Sequence, residues 1–209
     1  MTPMFVRRIV QLLSGLVFYG LGISMMIRGA VGVSPWDVLG QGVARQTGLD
    51  FGLVTVLVGA VVLLLWIPIR QKPGIGTLLN VLLVGPSATF GLSIIDAPPE
   101  LWERIPLFAG GLLLVALATG LYIGARFGPG PRDGLMTGIH RRWGWPLWKV
   151  RTAIEVTVLT IGWLLGGNVG LGTLAFALFI GPLVGKTVPW LRVPEARPTP
   201  VPPSAGAPS

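Results

Sequence analysis

Few residues in this sequence are equipped for chemistry, and the most distinctive of them recur at a fixed interval. Asp37 closes the stretch Gly32-Val33-Ser34-Pro35-Trp36-Asp37 and Asp133 closes Gly128-Pro129-Gly130-Pro131-Arg132-Asp133, with glycine, proline and aspartate in one register about 96 positions apart. Each stretch reads as the start of a helix. Ser34 is placed to cap it, Pro35 and Pro131 suit the first helical position because no N–H is needed there, and the aspartate meets the positive end of the helix dipole. Such a tip can bind an anionic group, or it can present a carboxylate to a cation. The same aspartates can also serve only as caps, and the two uses are compatible. Trp36 and Arg132 stand beside them and complete the pair of tips.

Glu155 is a third acid in an unusual place. It lies about ten residues into an apolar run, where a charge is costly, and Arg151 precedes it by one helical turn. Its counterpart in the other stretch is Gly59, so the architecture does not need an acid at that depth. A proton- or cation-coupling carboxylate facing a cavity is one reading, and a structural ion pair snorkelling to the surface is the other. Asn80, whose counterpart is Phe176, suits an interhelical hydrogen bond better than a solute site. Thr77 and Thr173 follow Gly-X-Gly at two further helix starts, where they suit helix entry or packing, and their hydroxyls are also candidate cavity-lining donors. Asp37, Asp133, Glu155, Arg151, Ser34, Trp36, Arg132, Asn80, Thr77 and Thr173 thus form the expected substrate-binding or coupling set, and Gly32, Pro35, Gly128 and Pro131 the turns that aim it.

Other chemistry is excluded. The chain has no cysteine and one histidine, His140, which leaves no thiolate, no disulfide and no His/Cys metal centre. No catalytic cluster, metal or cofactor is implied, and the chain is not expected to be an enzyme. His140 sits beside Arg141 and Arg142 and reads as a solvated residue; the Trp143, Trp145 and Trp148 cluster reads as an interfacial aromatic belt.

The elements that must position these residues are membrane helices. Hydrophobic residues make up 52% of the 209 and charged ones 11%, against roughly 25% charged in soluble domains. Six runs approach the length needed to cross a hydrocarbon core of about 30 Å: 9–28, 51–69, 74–95, 105–125, 146–165 and 170–188. Between them the short helices 35–46 and 131–142 are only half as long as a crossing, and Gly48 and Gly144 end them. Matching Gly15-Leu16 with Gly111-Leu112, Gly76-Thr77-Leu78 with Gly172-Thr173-Leu174, and Gly85-Pro86 with Gly181-Pro182 gives roughly twenty identities over about seventy-five positions without a gap. The expected fold is therefore all-α and polytopic. It consists of two tandem repeats, 1–98 and 99–190, each with three spans and one short re-entrant or half helix, followed by a disordered Pro/Ala-rich tail at 191–209. Gly15, Gly20 and Gly22 are expected to share one face of the first span.

Charge placement gives the orientation. With three spans per repeat the copies must be inverted. Arg7, Arg8, Arg70, Lys72, the basic stretch from Arg126 to Arg151, and Lys186 then fall on the cytoplasmic side. Asp96 to Glu103 falls outside. If the short helices crossed fully, giving eight spans, Arg28, Arg70, Lys72, Arg126 and Arg132 would all lie outside, so the six-span arrangement fits better. The +8 net charge is explained this way without nucleic acid.

Gly32-Val33-Ser34-Pro35-Trp36-Asp37 after the first span, and Pro73-Gly74-Ile75-Gly76-Thr77-Leu78-Leu79-Asn80-Val81 leading to Gly85-Pro86, resemble the YczE/YyaS/YitT family of bacterial membrane proteins, the YczE branch in particular. The resemblance covers Arg8 to about Val188 and implies a multi-span protein of the bacterial inner membrane, without supplying a substrate. The sequence leaves a small-solute transporter or channel set against an accessory or scaffold protein that docks a partner on its basic stretch. The expected partners are the lipid bilayer and a small solute, with self-association left open and no nucleic acid. Both termini are expected in the cytoplasm. Labelling of single cysteines checks the orientation: Glu103→Cys should react with an impermeant reagent from the periplasm and His140→Cys from the cytoplasm, and equal sidedness would restore eight spans.

Overall fold

The computed structural model describes residues 3–193, and every regular element among them is a helix. In chain order these are α1 (Pro3–Gly29), α2 (Pro35–Thr47), α3 (Phe51–Leu64), α4 (Ile75–Ile94), α5 (Leu101–Gly124), α6 (Pro131–Trp143), α7 (Leu147–Leu164) and α8 (Leu171–Leu191). The two short helices stand where the sequence puts them. Ser34 caps α2, Pro35 and Pro131 occupy first-turn positions, and Gly48 (φ 72°) and Gly144 (φ 69°) close α2 and α6 in the left-handed conformation that glycine adopts without strain.

Four single helices, α1, α4, α5 and α8, are long and apolar enough to cross a membrane. The expected spans 51–69 and 146–165 differ from that picture. α3 stops at Leu64, because Trp66, Ile67 and Arg70 turn back in short-range hydrogen bonds, Pro68 has no N–H, and Arg70 takes φ 54°. At 1.5 Å per residue α3 covers only about 21 Å. It qualifies together with α2, to which it is joined at a bend of 115°. α7 carries Lys149, Arg151 and Glu155 and is correspondingly less apolar. The expected tail also starts later: Val193 is buried and its N–H donates to the Gly124 carbonyl at 3.1 Å, and the remainder, 194–209, lies outside the described residues.

Glycine contacts fix the directions of the helices. α1 and α5 run antiparallel, with Gly15 against Tyr122, Gly22 against Gly111 and Gly29 against Arg104. α4 runs parallel to α1, Gly20 meeting Ala88 and Ser24 meeting Gly91, and α8 runs parallel to α5, Gly120 meeting Thr187 and Gly124 meeting Leu191. Gly20 therefore does not share the face of Gly15 and Gly22; five residues past Gly15 it is rotated by about 140°. α3 runs antiparallel to α4 through Gly52 and Gly85. At its start Asp50 accepts from the Thr89 hydroxyl at 2.6 Å and from the N–H groups of Gly52 and Leu53, which together hold its carboxyl below the usual carboxylate range.

The short helices cross over. α2 packs on α7, where Gly42 and Gly162 let the two backbones touch, and α6 packs on α7, on α3 and on the turn after α3, where Gly134 lies under the Trp66 indole and Gly138 against Ile69. Leu12, Leu16, Met26, Val33, Val38 and Val115 fill the centre. Leucines such as Leu82, Leu164, Leu171 and Leu178 face outward, as the lipid side of a membrane bundle requires. A Cβ on Gly162 would lie 2.4 Å from the Leu39 nitrogen, whereas one on Gly185 would meet nothing within 4 Å. Gly162→Val should therefore lower stability by about 1–3 kcal/mol or more through overpacking, and Gly185→Val should leave it nearly unchanged, as read from thermal unfolding in detergent.

Candidate functional site

The N-termini of α2 and α6 meet in the interior. At the α2 tip the Asp37 N–H donates to Ser34 Oγ at 3.3 Å, and the Ser34 hydroxyl donates to Asp37 Oδ2. Asp37 is 2% exposed, a buried carboxylate that needs a cation. Arg132, in the first turn of α6, supplies it: Nη2 stands 3.7 Å from Asp37 Oδ1, and the guanidinium lies over the Trp36 indole at 5.1 Å. The next residue, Asp133, accepts from the Tyr122 hydroxyl of α5 at 2.9 Å. Tyr19 of α1 packs edge-on to Tyr122 at 6.0 Å. α6 has Gly130 at its cap position and so no side chain to cover its first N–H groups.

Two cavities flank this cluster. The larger, about 160 Å³, is lined by Trp36, Arg132, Asp133, Arg151 and Glu155 among others, with Phe176 and Ile180 on its α8 side. The smaller, about 70 Å³, is lined by Thr55, Gly59, Asn80, Gly130, Arg132 and Asp133. Tyr19, Tyr122, Arg132 and Asp133 border both. Arg151 and Glu155 form the expected ion pair, Nε to Oε1 at 2.9 Å, on the wall of the larger cavity.

Of the residues singled out from the sequence, Ser34, Trp36, Asp37, Arg132 and Asp133 come together at the two tips, Arg151 and Glu155 join them across the larger cavity, and Asn80 lines the smaller one. Gly32 (φ 119°) and Gly128 (φ 121°) make the turns that bring the chain in. Thr77 and Thr173 serve helix entry, the first of the two uses open to them, and line neither cavity. Thr77 Oγ1 accepts from the Gly74 N–H at 3.2 Å and donates to the Pro129 carbonyl at 2.8 Å, and Thr173 Oγ1 accepts from the Gly170 N–H at 3.3 Å. Both are buried and brace helix starts against the turns of the opposite short helix. His140 and the three tryptophans are exposed, as expected, with His140 Nδ1 2.6 Å from the Trp145 carbonyl.

Tyr19 and Tyr122 are the site residues that sequence reasoning missed. The signal was present: they are the only tyrosines of the chain, each lies within an apolar run, and a buried phenol needs a partner for its hydroxyl.

Several helices long and apolar enough to cross a membrane, packed around charged side chains, define a multi-pass integral membrane protein. The chain belongs to the DUF6198 family, described as a family of unknown function, whose profile matches residues 6–188. It is 39% identical over 173 residues to an uncharacterized protein of Haemophilus influenzae, covering 83% of this chain and 79% of that one. It is 34% identical over 178 residues to the uncharacterized membrane protein YczE of Bacillus subtilis (84% and 83%), and 27% identical over 179 residues to YyaS of the same organism (84% and 89%). The YczE-like affiliation expected from the motifs is thus shown. No solved structure matches.

Tyr122→Phe removes the donor to Asp133 and should destabilise the protein by about 1–3 kcal/mol, since it deletes a hydrogen bond to a carboxylate. Tyr19→Phe should cost less, because no hydrogen bond of the Tyr19 hydroxyl is present among the described residues. Paired thermal melts of the two variants check the order.

Proposed function

We propose that the protein is a small-solute transporter or channel-like protein whose site lies between the tips of α2 and α6. The observation that carries this reading is the Asp37 to Arg132 pair: two half-length helices are joined tip to tip by a buried carboxylate and a half-buried guanidinium beside a cavity of about 160 Å³. Buried ionisable groups are expensive in a membrane and mark solute or ion paths, and paired broken helices facing a shared centre are a transporter device.

The proposal includes the inverted repeat. In its support, α1 and α5, which hold equivalent places in the two copies, run antiparallel. With eight full crossings they would run parallel. The turns agree as well, with Gly32 and Gly128 at φ 119° and 121° and Gly48 and Gly144 at 72° and 69°. The Gly76 N–H bonds the Phe127 carbonyl at 2.9 Å, as the Gly172 N–H bonds Val31 at 2.7 Å. In this reading the protein sits in the bacterial inner membrane with both termini cytoplasmic, acts on an unidentified small solute and carries out no covalent chemistry.

A second reading has an observation of its own. His140, Arg141, Arg142, Trp143, Trp145 and Trp148 are exposed along one basic, aromatic stretch, a surface on which an accessory protein could dock a partner enzyme or export system. A scaffold, however, has no use for a charged interior.

Glu155→Gln separates the two. In proteoliposomes challenged osmotically with a panel of small neutral, acidic and amine solutes, the wild-type protein should accelerate swelling for at least one, and Glu155→Gln should reduce that rate at least tenfold while unfolding at the same temperature. No acceleration for any solute would favour the scaffold, and an unchanged rate would reduce Glu155 to half of a structural pair.

A further inference from the structure

The two cavities are versions of one another. Under the repeat, Thr55, Gly59 and Asn80 of the smaller hold the places that Arg151, Glu155 and Phe176 hold in the larger, and Pro131 and Arg132 hold those of Pro35 and Trp36. Each cavity is bounded by the third and fourth helices of one copy and the short-helix tip of that cavity's own half or its twin. Between them stands a partition of Tyr19, Tyr122, Arg132 and Asp133.

The hydrogen-bond inventory of that partition is lopsided. Asp37 receives the Ser34 hydroxyl, Asp133 the Tyr122 hydroxyl, and Glu155 the Arg151 guanidinium. Each carboxylate has a donor on one oxygen, while Asp37 Oδ1 is buried without a hydrogen-bond partner. Arg132 has five N–H donors, yet its approach to Asp37, at 3.7 Å, is longer than a hydrogen bond, and among the described residues its guanidinium donates to no acceptor. It is also the more open member of the pair, with 24% of its side chain exposed against 3% for Asp37. Beneath it, the Trp36 Nε1–H is buried without an acceptor although Trp36 lines the larger cavity. The uncapped first turn of α6 adds N–H groups at the edge of the smaller one. The Arg132 guanidinium and the Trp36 N–H are thus two donor groups left unpaired against one unpaired acceptor atom, Asp37 Oδ1, and an added anion would supply the missing acceptors.

We propose that Arg132 is the solute-binding group of this site, that it serves the two cavities in turn, and that the solute is a small planar oxyanion, of which a carboxylate is the organic form. This rests on the transport reading and gives it a substrate class. A guanidinium meets two oxygens of a flat anion through parallel N–H bonds, which a point-charge ammonium does not. The indole face holds the guanidinium plane, and the Trp36 N–H is available to a third lone pair or to a bridging water. The larger cavity has room for roughly five water volumes at about 30 Å³ each, which limits the solute to a handful of non-hydrogen atoms. Asp37 is the internal competitor: it neutralises Arg132 when the site is empty and must be displaced from it when the anion binds. Such exchange avoids leaving a bare guanidinium in the bilayer.

The test is binding to the purified full-length protein in detergent, at constant ionic strength and chloride, with acetate and nitrate as probes and methylammonium and tetramethylammonium as cationic controls, read by thermal shift and by titration calorimetry. Acetate or nitrate should stabilise the wild type, and the cations should not. Arg132→Gln should weaken anion binding at least tenfold, Arg132→Lys about as much because the fork is lost, and Trp36→Phe a few-fold. Should Arg132→Gln fail to fold, Arg132→Lys and Trp36→Phe decide. Anion binding unchanged in the Arg132 variants, stabilisation by the cations alone, or no stabilisation by either anion overturns the proposal. Anion binding that depends on Arg132 without flux in vesicles supports it and removes the transport reading. Cation flux indifferent to Arg132 does the reverse.

Discussion

Backbone polar groups cannot be left bare in hydrocarbon, and this chain brings two helix starts and several helix ends into the bundle. Nearly every other feature answers that demand. The Arg8 guanidinium donates to the carbonyls just past the end of α5, at Ala125 and Arg126, and Gln11 spans the ends of α5 and α8 through Leu121 and Leu191. Arg28 donates to Leu92 near the end of α4, and Arg45 and Gln46 reach Gly166 and Leu165 past the end of α7. Cations at helix C-termini also complement the dipole. Arginines that a charge count assigns to one side of the membrane are thus doing a second task at a particular carbonyl. The α2 and α6 tips are the hardest case, because their partners must be negative or neutral acceptors: Ser34 supplies one at α2, and α6 has no side-chain cap.

How much of this was legible follows from what each residue type can mean alone. Gly32, Pro35, Gly48 and their counterparts are backbone instructions, and the short helices stand where they point. The Arg151 and Glu155 pair is a property of helix spacing and was equally readable. Pairings between distant segments were not. Nothing local says that Arg132 turns to Asp37, that Tyr122 turns to Asp133, or that Gly162 lies against Leu39. The end of α3 was misjudged for a related reason: 51–69 is uniformly apolar, and hydropathy does not register that Pro68 and the turn at Arg70 end the helix early. For Thr77 both helix entry and cavity lining were open, because a buried hydroxyl suits a cavity as well as a carbonyl, and only the approach of Pro129 chooses between them.

The two halves differ most where the proposed function needs them to differ. Ser34 caps one tip while Gly130 leaves the other uncovered, and Arg151 and Glu155 face the larger cavity where Thr55 and Gly59 face the smaller. A duplicated module, as proposed here, supplies the paired tips. Divergence at a few positions then supplies one cation, Arg132, set opposite one indole, Trp36.

The packing of α2 on α7 also governs how the chain is made. When α2 leaves the ribosome its docking surface has not been synthesised, and more than a hundred residues must follow before Gly162 arrives. At ordinary elongation rates the delay is on the order of ten seconds. Throughout it a half-length helix with a charged tip waits at the insertion machinery or on the membrane surface. Neither half finishes folding by itself, so truncation after α4 would leave α2 without the backbone it is shaped to touch.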